Sequence, residues 1–128
     1  MNASTSYFTD FYQGLPYLLQ SIGYQFSSVE LLKRALTHRS YDSKNSYERL
    51  EFLGDALLGM VVAQALFHQY PNYDEGKLTR MRATLVRQET LVEIAQDLQL
   101  FNHVILGIGE QKGGGRHRAS ILADCVEA

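Results

Sequence analysis

The dominant pattern in this chain is the stretch Ser46-Tyr-Glu-Arg-Leu-Glu-Phe-Leu-Gly-Asp-Ala-Leu-Leu-Gly-Met-Val-Val-Ala-Gln-Ala-Leu-Phe67. At about 100° per residue it predicts one long helix on which Glu48, Glu51 and Asp55 share a narrow arc. Beyond Asp55 the same arc becomes apolar, and a helix that is apolar on all sides is usually buried. We therefore expect this helix to run through the middle of the domain and to carry three carboxylates at one end.

The segments on both sides of this stretch predict an all-α domain. Apolar residues recur there at helical spacing, and no strand pattern is strong enough to build a sheet. A capping box at Ser27 and Glu30 predicts the start of one helix, and Ser46 is a candidate cap for the central one. The other predicted helices cover residues 15–22, 29–37, 77–86, 89–98 and 121–128. Residues 1–13 are expected to be a loosely held segment. Residues 101–108 are expected to be briefly extended, and residues 107–118 to form a mobile, glycine-rich basic loop.

Length and composition indicate one cytoplasmic domain. The chain has 128 residues and a formal net charge of −2, which neither indicates nor excludes a nucleic-acid binder. Its single cysteine, Cys125, fits a reducing compartment, and without a Cys/His cluster zinc is not expected. We find no signal peptide and no membrane span. The sequence stops at Ala128 in mid-helix, which predicts a shortened chain.

A second acidic pair, Asp124 and Glu127, lies three residues apart on the last predicted helix and so on one face. Two packed helices that each carry close carboxylates can form an oxygen-lined cavity, and such ligands suit Mg²⁺ or Mn²⁺. The spacing leaves an alternative open, because acids at helix ends are often solvated or paired with arginines such as Arg49 and Arg82. The residues alone favour this second interpretation somewhat over a metal site.

The octet Glu48-Arg-Leu-Glu-Phe-Leu-Gly-Asp55 resembles the signature of the ribonuclease III family, the endonucleases that cut double-stranded RNA. Further segments match the family in the expected order and look most like its bacterial branch. Together they span nearly all of residues 26–128. These segments are Ala35-Leu-Thr-His-Arg-Ser-Tyr41, Asp74-Glu-Gly76, Arg80-Met-Arg-Ala-Thr-Leu-Val86 and Ser120-Ile-Leu-Ala-Asp-Cys-Val-Glu-Ala128.

The resemblance implies a helical nuclease domain that works as a two-fold symmetric homodimer. It also implies that residues 1–128 are this domain, incomplete at the C-terminus and without the double-stranded-RNA-binding domain of bacterial members. Tyr47 stands where those members often have asparagine, and this change removes no metal ligand. By position, the implied metal ligands are Glu51, Asp124 and Glu127, the implied catalytic residues are Asp55 and Glu127, and the implied outer acids of the cleft are Glu48 and Glu75.

The implied reaction is Mg²⁺-dependent hydrolysis of double-stranded RNA, with Mn²⁺ as a substitute ion and no small-molecule cofactor. A metal-activated water attacks phosphorus in line and leaves 5′-phosphate and 3′-hydroxyl ends. The implied substrates are ribosomal RNA precursors and other structured RNAs. Two rivals are a non-catalytic RNA-binding protein of the same fold, which should have lost acids, and a helical hydrolase of small phosphate esters, which should have a closed pocket.

Basic residues and one phenylalanine complete the candidate site. Phe52 projects beside the acids and is either covered by a neighbouring helix or, as the resemblance implies, inserted into a second subunit. Gly54 and Gly59 weaken the central helix, which is tolerable where another backbone approaches closely. The basic residues can form a solvated face, whereas the resemblance implies RNA contacts by Arg80, Arg82, Lys112, Arg116 and Arg118.

Overall fold

The structure, a computed structural model, describes residues 10–128 and shows an all-α fold. Within these residues there is no β-strand, only an isolated parallel bridge between Thr37 and Ile105. The predicted fold class is therefore confirmed. The helices are α1 (Phe11–Ile22), α2 (Val29–Ala35), α3 (Glu48–Gln69), α4 (Glu75–Leu85), α5 (Gln88–Asp97), α6 (Ile108–Lys112) and α7 (Ala119–Glu127), with 3₁₀ turns at Leu100–Asn102 and Gly115–His117.

The hydrophobic core surrounds α7 rather than α3. Ile121, Leu122 and Cys125 of α7 are buried, and α5 packs along this helix through Ala95. Leu18 of α1 is also fully enclosed in this cluster. The final helix is thus the central element of the domain, and its acidic residues project from a rigidly packed backbone.

The prediction that α3 runs through the middle of the domain is wrong for the single chain. Leu66 is its only buried residue, and the side chains of Leu53, Met60 and Val61 are each more than half exposed. The first half of α3 packs on α7 and the second half packs on α4. An apolar pattern shows that a surface must be covered, but it does not show that the same chain covers it.

By length and composition α3 could also cross a membrane, although no span was expected. Its mean hydropathy reaches 1.6 over 18 residues, and no other helix within residues 10–128 meets this test. The test is weak for a single helix, because a helix that packs against a second protein surface can satisfy it equally well.

The first helix begins earlier than predicted. Residues 1–13 were expected to be loosely held, but α1 starts at Phe11, and residues 1–9 lie outside the described part. Asp10 caps the helix by accepting a hydrogen bond from the Tyr12 amide at 3.0 Å. The start was missed because proline is common in the first turn of a helix, whereas Pro16 lies in the interior of α1.

Two predicted helix caps differ in detail. Ser28, not Ser27, caps α2, and its hydroxyl accepts a hydrogen bond from the Leu31 amide at 3.3 Å. Ser46 lies one residue before the cap position of α3, and its hydroxyl still accepts from the Glu48 amide at 3.4 Å. Adjacent serines offer the same hydroxyl, so only the backbone conformation distinguishes them.

The glycine-rich segment, predicted as a mobile loop, is folded. Residues 107–118 form α6 and a 3₁₀ turn, and the Gly107 amide donates to the Ser40 hydroxyl at 2.8 Å. The predicted extended segment is reduced to one bridge, in which the Ile105 amide donates to the Leu36 carbonyl at 2.8 Å. Tertiary contacts therefore order a segment whose composition alone indicates flexibility.

Candidate metal centre

The candidate site lies where α3 crosses α7. Glu51 and Asp55 project from the first two turns of α3, and Asp124 and Glu127 project from the end of α7. The helices meet at Gly54, where an ideal Cβ would lie 1.6 Å from the carbonyl oxygen of Glu127. No side chain fits in that space, so Gly54 sets the distance between the two helices. The predicted close backbone approach is found there.

Three of the predicted ligands converge. Glu51, Asp124 and Glu127 each offer one carboxylate oxygen, and these oxygens all lie within 4.8 Å of one another. All three residues are partly buried, whereas Asp55 is exposed and completes the group through a hydrogen bond with Glu127. A set of carboxylate oxygens without nitrogen or sulfur suits a hard cation such as Mg²⁺ or Mn²⁺. The residues present therefore fit the implied ion.

The electrostatics of the site favour neutralisation of its acids. Burial raises the pKa of Glu51 to about 7, and a hydrogen bond with Asp124 and the charge of that residue add to the effect. Burial likewise raises the pKa of Glu127 to about 7, with further contributions from a hydrogen bond to Asp55 and the neighbouring charges. Closely spaced carboxylates repel one another, so a proton or a cation must compensate them.

Arginine side chains do not provide this compensation. The alternative in which the acids pair with Arg49 or Arg82 is not realised among residues 10–128. The ion pairs in that range are Arg39–Glu48 at 3.6 Å, Arg87–Glu89 at 3.8 Å and Arg118–Glu110 at 3.4 Å. The four clustered acids therefore have to be compensated by bound protons or by a cation.

Tyr47 is part of the site, although no role was expected for it from the sequence. The residue is 4% exposed, and its hydroxyl donates a hydrogen bond to Oδ2 of Asp124 at 3.1 Å. Burial and the charge of Asp124 raise the pKa of the Tyr47 phenol, so the hydroxyl remains a donor at neutral pH. No sequence signal indicates this contact, because the two residues are 77 positions apart.

The two predicted outer acids lie in different places. Glu48 lines a cleft of about 260 Å³ together with Glu51 and Asp124, and it pairs there with Arg39. Glu75 starts α4 and lies beside the second half of α3, near Leu66. At 1.5 Å per residue this is roughly 20 Å along the helix from Glu51. Within one chain, Glu75 therefore does not join the cluster.

The five predicted RNA contacts separate into distinct environments. Arg116 is buried, and its guanidinium donates to the Phe101 carbonyl at 2.7 Å and to Oε1 of Gln111 at 2.6 Å. The prediction that Arg116 contacts RNA is therefore wrong, because its guanidinium is buried and donates hydrogen bonds to other residues of the same chain. Arg118 lines the 260 Å³ cleft and pairs with Glu110.

The other three basic residues are exposed and do not line that cleft. Lys112 borders a separate cavity of about 430 Å³ near α1. Arg80 and Arg82 project from α4, next to the second half of α3. Of the five predicted RNA-contacting residues, only Arg118 lines the cleft that contains Glu51 and Asp124.

Phe52 is the most exposed large apolar side chain among the described residues. It is 82% exposed and stands on α3 between the acids of the first two turns. The interpretation in which a neighbouring helix of the same chain covers it therefore does not hold. A phenylalanine in this position leaves a large apolar surface in water unless another molecule covers it.

Two curated relatives are similar to this chain over most of its length. Ribonuclease 3 of Psychrobacter arcticus is 66% identical over 120 residues, which make up 94% of this chain and 45% of that protein. Ribonuclease 3 of Acinetobacter pittii is 66% identical over 113 residues, or 88% of this chain and 49% of that protein. The chain thus spans about half the length of these curated relatives.

A solved structure and a family model lead to the same assignment. The nuclease domain of ribonuclease III from Campylobacter jejuni, described for structural flexibility in a region involved in dimer formation, superposes with a TM-score of 0.86 and 41% identity. The match covers 88% of this chain and 79% of that one. Residues 28–128 match the family model described as ribonuclease-III-like. This chain therefore belongs to the ribonuclease-III-like family.

Proposed function

We propose that this chain is the nuclease part of a Mg²⁺-dependent endoribonuclease that cleaves double-stranded RNA. The observation that carries the proposal is the convergence of Glu51, Asp124 and Glu127 within 4.8 Å, without an arginine to neutralise them among residues 10–128. A non-catalytic relative of the same fold has no need of such a cluster. The names of the curated relatives, Ribonuclease 3, also support the proposal.

The residues of the site have distinct tasks in this proposal. Glu51, Asp124 and Glu127 hold the ion, and Mn²⁺ can replace Mg²⁺ because both accept carboxylate oxygens. When bound, the ion lowers the pKa of water and stabilises negative charge on the phosphoryl group. Asp55, exposed beside Glu127, orients water and the sugar-phosphate of the substrate at the mouth of the cleft.

Hydrolysis needs no protein nucleophile in this scheme. Cys125 lies next to the acids in sequence but is buried in the core, and burial raises the pKa of its thiol, so it stays protonated. Water is then the attacking group, and the products carry 5′-phosphate and 3′-hydroxyl ends. Arg118, at the edge of the same cleft, exchanges Glu110 for a backbone phosphate when RNA binds.

The homodimer is part of the proposal. Phe52 and the exposed apolar residues of α3 need a cover, and a second copy of the chain provides one that brings two acidic sites together. Two sites related by a two-fold axis cut both strands of a duplex and leave short 3′ overhangs. The proposed place of action is the cytoplasm, in the processing of ribosomal RNA precursors and other structured RNAs.

The decisive experiment incubates a labelled long RNA duplex with the protein, with and without Mg²⁺, and analyses the product ends. We expect Mg²⁺-dependent cleavage that Glu127→Gln abolishes while duplex binding stays largely unchanged. Glu93→Gln, the same substitution at an exposed glutamate of α5, serves as the control and keeps full activity. Binding without cleavage by the unmodified protein would instead identify a non-catalytic RNA-binding protein.

A further inference from the structure

The core contains one polar side chain that reaches into the acidic cluster. Tyr47 is 4% exposed and belongs to the hydrophobic core, yet its hydroxyl lies 3.1 Å from Oδ2 of Asp124. It ends the segment between α2 and α3, and the carboxylate it meets projects from α7. This hydrogen bond therefore joins two parts of the chain that meet only in the folded state.

The backbone of Tyr47 is held on both sides. Its amide donates to the Thr37 carbonyl at 2.9 Å, and its carbonyl accepts from the Glu51 amide at 2.8 Å. The ring also contacts His38 edge-on, with 6.0 Å between the ring centroids. Because a tyrosine ring has only two side-chain torsions, a fixed backbone and a buried ring leave the hydroxyl in one place.

Tyr47 thus contacts one predicted ligand from each helix. Its carbonyl bonds to the backbone of Glu51, in the first turn of α3, and its hydroxyl bonds to the carboxylate of Asp124, on α7. A carboxylate has about four lone-pair directions, so one hydrogen bond fixes its plane and leaves the others for a cation. Partners of this kind orient metal ligands and strengthen metal binding.

We propose that Tyr47 is a positioning residue for the metal site, whose hydroxyl fixes the Asp124 carboxylate in the orientation that binds the ion. The inference rests on the proposed function, since it assumes that the cluster holds a divalent cation. It does not make Tyr47 a catalytic residue, because the ring is 4% exposed and the hydroxyl donates its hydrogen bond to Asp124. The hydroxyl acts only through Asp124.

Tyr47→Phe tests this role, because it keeps the ring and removes only the hydroxyl. Tyr70→Phe is the matched control, since Tyr70 stacks on Tyr73 beyond the end of α3, far from the acids. Mn²⁺ affinity is measured by isothermal titration calorimetry on the full chain. We expect Tyr47→Phe to weaken Mn²⁺ binding by about 10-fold or more, and Tyr70→Phe to leave it unchanged.

Kinetics provide a second measurement. Tyr47→Phe should lower kcat at limiting Mg²⁺ and leave KM for RNA unchanged, and excess Mg²⁺ should restore most of the rate. A purely structural role of the hydroxyl predicts a lower melting temperature with unchanged Mn²⁺ affinity. That result, or a Tyr47→Phe chain that does not fold, would overturn the positioning role of Tyr47 and leave the proposed function standing. Failure of the unmodified protein to bind Mn²⁺ at all would overturn the proposed function as well.

Discussion

Replacing Gly54 with alanine tests the geometry on which the site depends. The added Cβ would lie 1.6 Å from the carbonyl oxygen of Glu127 and 2.6 Å from its carbonyl carbon, and both are backbone atoms that cannot rotate away. To move from 1.6 Å to an ordinary contact of 3.4 Å, the two helices must separate by about 1.8 Å. Ligand constellations tolerate displacements of only about 0.5 Å, so the carboxylates of Glu51 and Glu127 would no longer meet at one ion.

The expected losses follow from that displacement. Overpacking costs about 1–3 kcal/mol of stability, and the better helix propensity of alanine offsets about 0.5–1 kcal/mol of this loss. The net destabilisation of Gly54→Ala is therefore about 0–2.5 kcal/mol. The loss of function is larger, because a misplacement of about 1 Å at a catalytic site can cost roughly 100-fold in rate. We expect Mn²⁺ affinity and duplex cleavage each to fall by about 100-fold or more.

Gly59→Ala provides the control. Gly59 lies on the same helix, and an ideal Cβ there meets nothing within 4 Å in this chain. Mn²⁺ titration calorimetry and duplex cleavage assays on both variants separate the close approach at Gly54 from a general effect on α3. If Gly54→Ala binds Mn²⁺ as tightly as the unmodified protein, the crossing of α3 and α7 does not set the geometry of the metal site.

Three further predictions concern protonation, assembly and the glycine-rich segment. Because the pKa values of Glu51 and Glu127 are raised to about 7, the folded metal-free protein holds protons that the unfolded chain releases near pH 4.5. Thermal melts of the metal-free protein should therefore show its stability falling from pH 4.5 to 7. Calorimetry in two buffers should show that Mn²⁺ binding releases protons and that Mn²⁺ affinity rises through pH 7. Stability and affinity that do not change with pH would contradict the raised pKa values of the two glutamates. Phe52→Arg should shift sedimentation from dimer to monomer without lowering the melting temperature of the monomer, whereas an unchanged dimer would locate the interface elsewhere. Arg116→Ala should destabilise the fold by about 1–3 kcal/mol in a denaturant titration, because it removes the donor to the Phe101 carbonyl. Arg118→Ala, at an exposed arginine of the same segment, should weaken RNA binding instead.

Much of the fold and of the acidic cluster could be predicted from the sequence. Helical periodicity identified the main helices, and local spacing placed Asp124 and Glu127 on one face of α7. The predicted burial of α3 was wrong because periodicity records the apolar surface and not the molecule that covers it. The prediction of a mobile loop at residues 107–118 was wrong. Glycine content indicates only the freedom of the backbone, whereas hydrogen bonds from Arg116 restrict that freedom here.

The distances between residues far apart in sequence could not be derived from local patterns. Tyr47 and Asp124 are 77 positions apart, and the crossing at Gly54 joins two helices whose separation depends on the packing of the whole core. The separation of Glu75 from the other acids likewise depends on where α4 packs along α3. Each of these features depends on the distance between residues that are far apart in sequence, and local sequence patterns carry no information on such distances.

The amino-acid sequence by itself determined the chemistry available to this protein: an oxygen-only set of carboxylates on two predicted helices, with basic residues elsewhere in the chain and no thiol or imidazole cluster. Only the tertiary structure decided how closely the predicted ligands approach one another, which arginine belongs to the interior and which tyrosine holds a ligand. The physical reason is that side-chain type is local, whereas the meeting of Glu51, Asp124 and Glu127 within 4.8 Å requires the core to bring α3 and α7 together.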